Sequence, residues 1–143
     1  MTTVDVNYKL SPINGKVIVI EDEEMLRTLM TDILEEVGAE CEGFSNADDA
    51  LMHLLESHAQ FALVIADHGL PGSVQGAELV EMIRSKWPSI SAIVTSGWAE
   101  SYVKMPPGIK FLGKPWSIDT LVKAVSEVTG AAVVVAPPPI RKG

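Results

Sequence analysis

Short apolar runs and helical stripes alternate along this chain, and that alternation restricts the folds open to it more than any other feature. Val17 to Ile20 in "KVIVIED" (16–22), "FALVIA" (61–66) and "SAIVTS" (91–96) have the apolar, partly β-branched composition of strands buried on both faces. "ECEGF" (40–44) is a weaker strand candidate, and "IKFLG" (109–113) a short one. Between them, apolar residues recur at helical spacing. The stripes are Met25, Leu26, Leu29, Met30, Ile33, Leu34 and Val37; then Leu51, Leu54 and Leu55; then Leu79, Val80 and Ile83; and finally Leu121, Val122, Val125 and Val128. Punctuation agrees: Gly38 closes the first stripe, Asn46 caps the second, Pro88 stops the third and Ser117 caps the last. Strands that alternate with helices pair in parallel through right-handed crossovers. The expectation is an α/β fold: a doubly wound, five-stranded parallel sheet with helices on both faces.

At 143 residues, 47% of them hydrophobic, one domain with a substantial core is expected. Its boundaries are read as 15–130, between an N-terminal tail (1–14) and a Pro-rich C-terminal tail (131–143). Three consecutive prolines in "AAVVVAPPPIRKG" cannot continue a helix, so this tail is expected to be polyproline II or disordered. A net charge of −8 without a basic cluster argues against a nucleic-acid or anionic-membrane surface. No apolar run is long enough to cross a bilayer, and the N-terminus lacks a signal-peptide core, so a cytoplasmic protein is expected. Cys41 stands alone, which excludes an internal disulfide. His53 and His58 are read as solvated helix residues, and Trp87 as packing at a helix end.

In such a sheet every strand C-terminus lies on one edge, where α/β proteins place their sites. Glu21 and Asp22 follow the first strand, Asp67 the third, Ser96 ends the fourth, and Lys114 follows the fifth. Taken singly, each has a plain explanation. Glu21–Asp22 could open a helix, where acids suit the dipole; Asp67 and Ser96 could be turn chemistry; Lys114 could be a solvated amine. Taken together, three carboxylates converge and raise one another's pKa unless a cation neutralises them. Mg²⁺ suits a site with few carboxylates and several waters. The same ion would gather phosphoryl oxygens, with Lys114 and Ser96 taking others. A carboxylate can itself be the nucleophile, giving an acyl phosphate. The constellation is that of phosphoryl transfer onto Asp67.

These pieces resemble the receiver domain of response regulators in bacterial two-component signalling. "VIVIEDE" is similar to that family's acidic-pair strand, "DHGLP" to its phosphoacceptor motif, "IVTSG" to its switch Ser/Thr followed by a small residue, and "KPW" to its Lys-Pro-aromatic motif. The resemblance runs from about Lys16 to Gly130. It implies a flavodoxin-like fold with Asp67 as phosphoacceptor and Mg²⁺ as cofactor. Asp22 and Asp67 would ligate the metal directly, Glu21 through water, and Gly69 through its backbone carbonyl. Ser96 would hydrogen-bond the phosphoryl group and Lys114 would pair with it. Phe111 matches the aromatic switch, whose alternative reading is core packing, and Pro115 the proline whose preceding bond is commonly cis. In this family, the positions two after the phosphoacceptor and two after the switch Ser/Thr influence the hydrolytic water. Here they are Gly69 and Trp98, which offer it no base, so a long-lived phosphorylated state is expected. His68 is expected to point away from the site.

Two features depart from the common pattern: "LPGSVQG" carries one extra residue, and the fourth helix region, "WAESYVKMPPG", is short. Both resemble receivers of hybrid histidine kinases and put the usual output surface in doubt. The expected function is a stand-alone receiver that takes phosphate from a histidine kinase or histidine phosphotransfer protein. It would then switch binding to an unknown protein partner, as a monomer or a phosphorylation-dependent dimer. The alternative is a phosphorelay shuttle or phosphate sink without conformational output. A dedicated enzyme is not expected: an aspartyl phosphatase usually needs a second acid where this chain has Gly69.

Overall fold

The five apolar runs pair side by side into one parallel sheet. The structure is a computed structural model and describes residues 8–72, 74–97 and 109–135. In chain order its elements are β1 (Tyr8–Leu10), β2 (Lys16–Ile20), α1 (Glu24–Glu36), β3 (Cys41–Phe44), α2 (Ala47–Ser57), β4 (Phe61–Asp67), α3 (Gly76–Lys86), β5 (Ser91–Ser96), β6 (Ile109–Gly113), α4 (Ile118–Thr129) and β7 (Val133–Val135); a 3₁₀ turn (His58–Gln60) joins α2 to β4. The sheet order is β3-β2-β4-β5-β6, parallel throughout. This is the expected doubly wound sheet. The short fourth helix region and Trp98 lie outside the described residues.

Strand periodicity divides the core in two. Val17 and Val19 face the layer of α1 and α4, where they meet Ile33, Leu34, Leu121 and Val125. Ile18 and Ile20 point the other way, into the layer of α2 and α3, against Leu54, Leu79, Val80 and Ile83. Because strand side chains alternate, a central strand with apolar residues at every position must be covered on both faces. Helix ends follow the expected signals. Asn46 accepts the Asp49 N–H through Oδ1 at 2.8 Å. Ser117 Oγ accepts from Thr120 N while Thr120 Oγ1 accepts from Ser117 N, a reciprocal capping box. Gly130 closes α4 in the left-handed conformation, φ 77°.

The segments read as tails meet one another. β1 and β7 form a two-stranded antiparallel ribbon, with Leu10 opposite Val133 and Tyr8 opposite Val135. Leu10 is buried in the α1/α4 layer, its N–H bonded to the Val37 carbonyl at 2.9 Å. The β-branched run Val133–Val135 precedes the prolines, so nothing in it blocks strand pairing, and the left-handed turn at Gly130 directs it toward β1. His53 also departs from expectation. Its ring packs 5.4 Å from both Phe44 and Phe61 and lies 3.4 Å from Glu42 Oε1, so it is a half-buried packing residue. His58 stacks on Trp87 at 5.1 Å, which covers the end of α3 as read.

The capping box gives a stability prediction. Ser117→Ala should cost about 0.5–2 kcal/mol, the usual loss when an N-cap hydroxyl is removed, measured by urea unfolding.

Candidate functional site

The site is built where β2, β4, β5 and β6 end. β2 stops at Ile20, but Glu21 still donates its N–H to the Phe44 carbonyl of β3 at 3.0 Å, so its backbone continues the sheet. Asp67 is the last residue of β4, opposite Thr95 of β5. The next peptide is tied down as well, because His68 N–H donates to the Thr95 carbonyl at 2.8 Å. On the far side, Lys114 N–H donates to the Ser96 carbonyl at 2.7 Å, joining the ends of β5 and β6. The Lys114–Pro115 peptide bond is cis.

Lys114 Nζ lies between two carboxylates, 2.8 Å from Glu21 Oε1 and 3.1 Å from Asp67 Oδ1. Glu21 is 3% exposed and Asp67 8%, so neither charge could stay this far from water without a partner. The second Glu21 oxygen, Oε2, accepts the Glu23 N–H at 3.1 Å. Asp22 is exposed, and its carboxylate joins the group: one oxygen each from Glu21, Asp22 and Asp67 lie within 4.8 Å of one another.

Charge balance sets the chemistry. Burial pushes the Glu21 carboxyl above the usual carboxylate range; Asp22 and Asp67 push the same way, while Lys114 and the Glu23 amide only partly offset them. For Lys114, burial works against the ammonium, but the Glu21 and Asp67 carboxylates together outweigh it and hold its pKa above the ordinary lysine value. Three carboxylates and one ammonium leave an excess of negative charge, and their clustered hard oxygen donors fit Mg²⁺. When bound there, the metal supplies charge neutralisation for the carboxylates and for an incoming phosphoryl group.

Ser96 is 1% exposed, and its hydroxyl donates to the Gly97 carbonyl at 3.2 Å. Phe111 is half-buried on the edge strand β6 and belongs to neither core cluster. Gly69 is exposed, and beyond its chain neighbours no described atom lies within 4 Å of where a Cβ would stand. His68 is half-buried, with its Nδ1 enclosed and lacking a hydrogen-bond partner among the described residues. Glu21, Asp22, Asp67, Ser96 and Lys114, scattered over 94 positions of sequence, therefore meet at one sheet edge.

The sequence model of the response regulator receiver domain matches residues 17–126. The chain belongs to the response regulator receiver domain family. It is 28% identical over 127 residues to the hydrogenase transcriptional regulatory protein HoxA of Cupriavidus necator, covering 85% of this chain and 26% of that protein. The receiver domain of NtrX from Brucella abortus superposes with a TM-score of 0.70 at 26% identity, covering 80% of this chain and 98% of that one. A response regulator receiver domain protein from Clostridium thermocellum gives 0.74 at 23% identity, covering 81% and 94%, a likeness of fold. The receiver spans about a quarter of the length of the first curated relatives it matches. Receiver domains of this family accept a phosphoryl group on an aspartate in two-component signalling, typically with Mg²⁺, and interact with histidine kinases or phosphotransfer proteins. No helix among the described residues is long and apolar enough to cross a membrane.

Two contributions to the receiver's site were not legible beforehand. Arg27 of α1 donates from Nη1 to the Glu21 carbonyl at 2.7 Å; in sequence it is merely a polar position on an amphipathic helix. Gly76, the first residue of α3, lies directly against the end of β4, where a Cβ would overlap the Asp67 carbonyl oxygen and crowd its carbon and His68 Cα. Alanine normally favours a helix over glycine, but here it would push α3 and the Asp67 peptide apart. Gly76→Ala should therefore lower stability by about 1–3 kcal/mol, the usual cost of overpacking, against the sign that helix propensity predicts. Urea unfolding of the two proteins reads the sign directly.

Proposed function

We propose that Asp67 is the phosphoacceptor of this receiver and that its phosphorylation changes which protein the domain binds. The observation that carries the proposal is the shared ammonium: Lys114 holds Asp67 Oδ1 at the sheet edge beside Glu21 and Asp22. In the proposed step an Asp67 oxygen forms a bond to phosphorus while the P–N bond of a phosphohistidine breaks. The electron pair returns to the imidazole, which takes up a proton. Lys114 is already placed to meet a phosphoryl oxygen. Both Glu21 oxygens are occupied, by Lys114 and the Glu23 amide, which supports assigning direct metal ligation to Asp22 and Asp67, with Glu21 acting through water. Gly69 would contribute its backbone carbonyl.

Several observations favour a switch over a passive phosphate carrier. Ser96 sits buried next to the loop that follows β5, and Phe111 lies half-buried on the edge strand, outside both core clusters of the described residues. Its proposed output is a changed binding surface. Docking of the phosphodonor is proposed on α1, which starts two residues after Asp22 and exposes Met25 and Leu29 one turn apart. The domain would catalyse its own phosphorylation and hydrolysis without being a dedicated enzyme.

Acetyl phosphate with Mg²⁺ should add one phosphoryl group, read by intact mass, and chelation should prevent it. Asp67→Asn should abolish the addition; equal phosphorylation of that variant would refute the assignment.

Hydrolysis of the acyl phosphate needs a positioned water, and among the described residues no side chain beyond the chain neighbours stands within 4 Å of where a Gly69 Cβ would be to orient one. The phosphorylated protein should accordingly be long-lived for a receiver. Gly69→Asn, which the space accommodates, should shorten its lifetime several-fold, while His68→Ala should leave it nearly unchanged. A decay assay that ranks these two variants the other way would assign the water to His68.

A further inference from the structure

Glu21 is held from three directions, and one of these contacts falls on the peptide that joins it to Asp22. Its sheet side is fixed because Glu21 N–H donates to the Phe44 carbonyl of β3 at 3.0 Å. Its carbonyl oxygen accepts from Arg27 Nη1 at 2.7 Å. The Glu21 side chain is held by Lys114 and the Glu23 amide. Arg27 has its own anchor, since its N–H donates to the Glu23 carbonyl at 2.9 Å in the first turn of α1. Its aliphatic stem crosses β3 at Gly43, where a Cβ would come within 3.2 Å of Arg27 Cδ and 3.4 Å of Cγ. Glycine is a poor strand residue, and Gly43 is exposed, so the core does not demand a small residue there. What it leaves room for is the Arg27 stem.

From this geometry we infer that Arg27 is a positioning residue for the acidic pair, and that Gly43 is the gap that lets it reach. The Glu21 carbonyl and the Asp22 N–H belong to one rigid peptide plane. A guanidinium that holds the carbonyl therefore sets the direction in which Asp22 leaves the backbone. Methionine at position 27 would keep the stem and the helix but lose the donor. The peptide could then rotate, and Asp22 would reach the metal position only part of the time. A larger side chain at position 43 would displace the stem and have the same effect with Arg27 still present.

The inference rests on the reading of the acidic cluster as a Mg²⁺ site, so the parent protein is measured first by titration calorimetry with Mg²⁺ alone. A parent that binds no Mg²⁺ refutes that reading; the inference itself is tested on the variants. Arg27→Met should weaken Mg²⁺ binding by about tenfold or more, the usual loss when a group supporting a metal ligand is removed. Acetyl-phosphate labelling by this variant should need correspondingly more Mg²⁺ but recover its rate at saturation. Arg27→Lys, which keeps a donor, should restore part of the affinity. Gly43→Val, which suits a strand, should reproduce the Arg27→Met defect, and the double variant should be no worse than either alone. Parent-like Mg²⁺ affinity in Arg27→Met, additive losses in the double variant, or a labelling rate that stays low at saturating Mg²⁺ would each overturn the inference.

Discussion

The Lys114 ammonium is the interaction on which the site depends. Parallel strands bring their carboxyl ends together whatever residues stand there, and here that places Glu21 and Asp67, both nearly inaccessible to water, against each other. Two buried carboxylates this close would oppose folding by repulsion and by loss of hydration. Lys114 reaches across from the end of β6 and bonds to both. It only partly relieves Glu21, whose carboxyl stays above the usual range. That residual excess of negative charge is what a divalent cation and then a phosphoryl group can exploit.

Backbone contacts hold this arrangement more firmly than side chains alone could. Asp67 is bounded by the tie from His68 to Thr95 on one side and by the close approach of Gly76 on the other. Glu21 and Asp22 are bounded by Phe44, Glu23 and Arg27. By contrast, the positions proposed to respond to phosphate, Ser96 and Phe111, lie at the end of β5 next to a loop and on the edge strand β6. The proposed two-state device would act through these positions, since a switch shifts only through contacts that differ between its states.

Much of this organisation was legible in the amino-acid sequence because it follows from periodicity. Val17 to Ile20 are apolar at every position, which demands cover on both faces and therefore a parallel sheet between helices. Asn46, Ser117 and Gly130 announce helix ends because their side chains, or the lack of one, satisfy or release specific backbone groups. Parallel pairing in turn predicts that Glu21, Asp22, Asp67, Ser96 and Lys114 share an edge. Periodicity says nothing about contacts between polar residues and distant partners, and the misreadings fall there. His53 looked solvated because its partners, Phe44, Phe61 and Glu42, come from two other strands or their ends. The ribbon of β1 and β7 went unseen because its two strands are short and separated by the whole domain.

The sequence by itself determined the layer order and the identity of the residues at the sheet edge, since strand alternation and helix spacing are local properties that each segment carries alone. Only the tertiary structure decided that Lys114 bridges Glu21 and Asp67, that Gly76 clears space for the Asp67 carbonyl, and that Arg27 reaches past Gly43 to the Glu21 peptide. Each of these is a distance of a few ångströms between residues far apart in the chain or on different elements. Such distances depend on strand register and on how closely a helix approaches the sheet, and those are settled by packing the whole core at once.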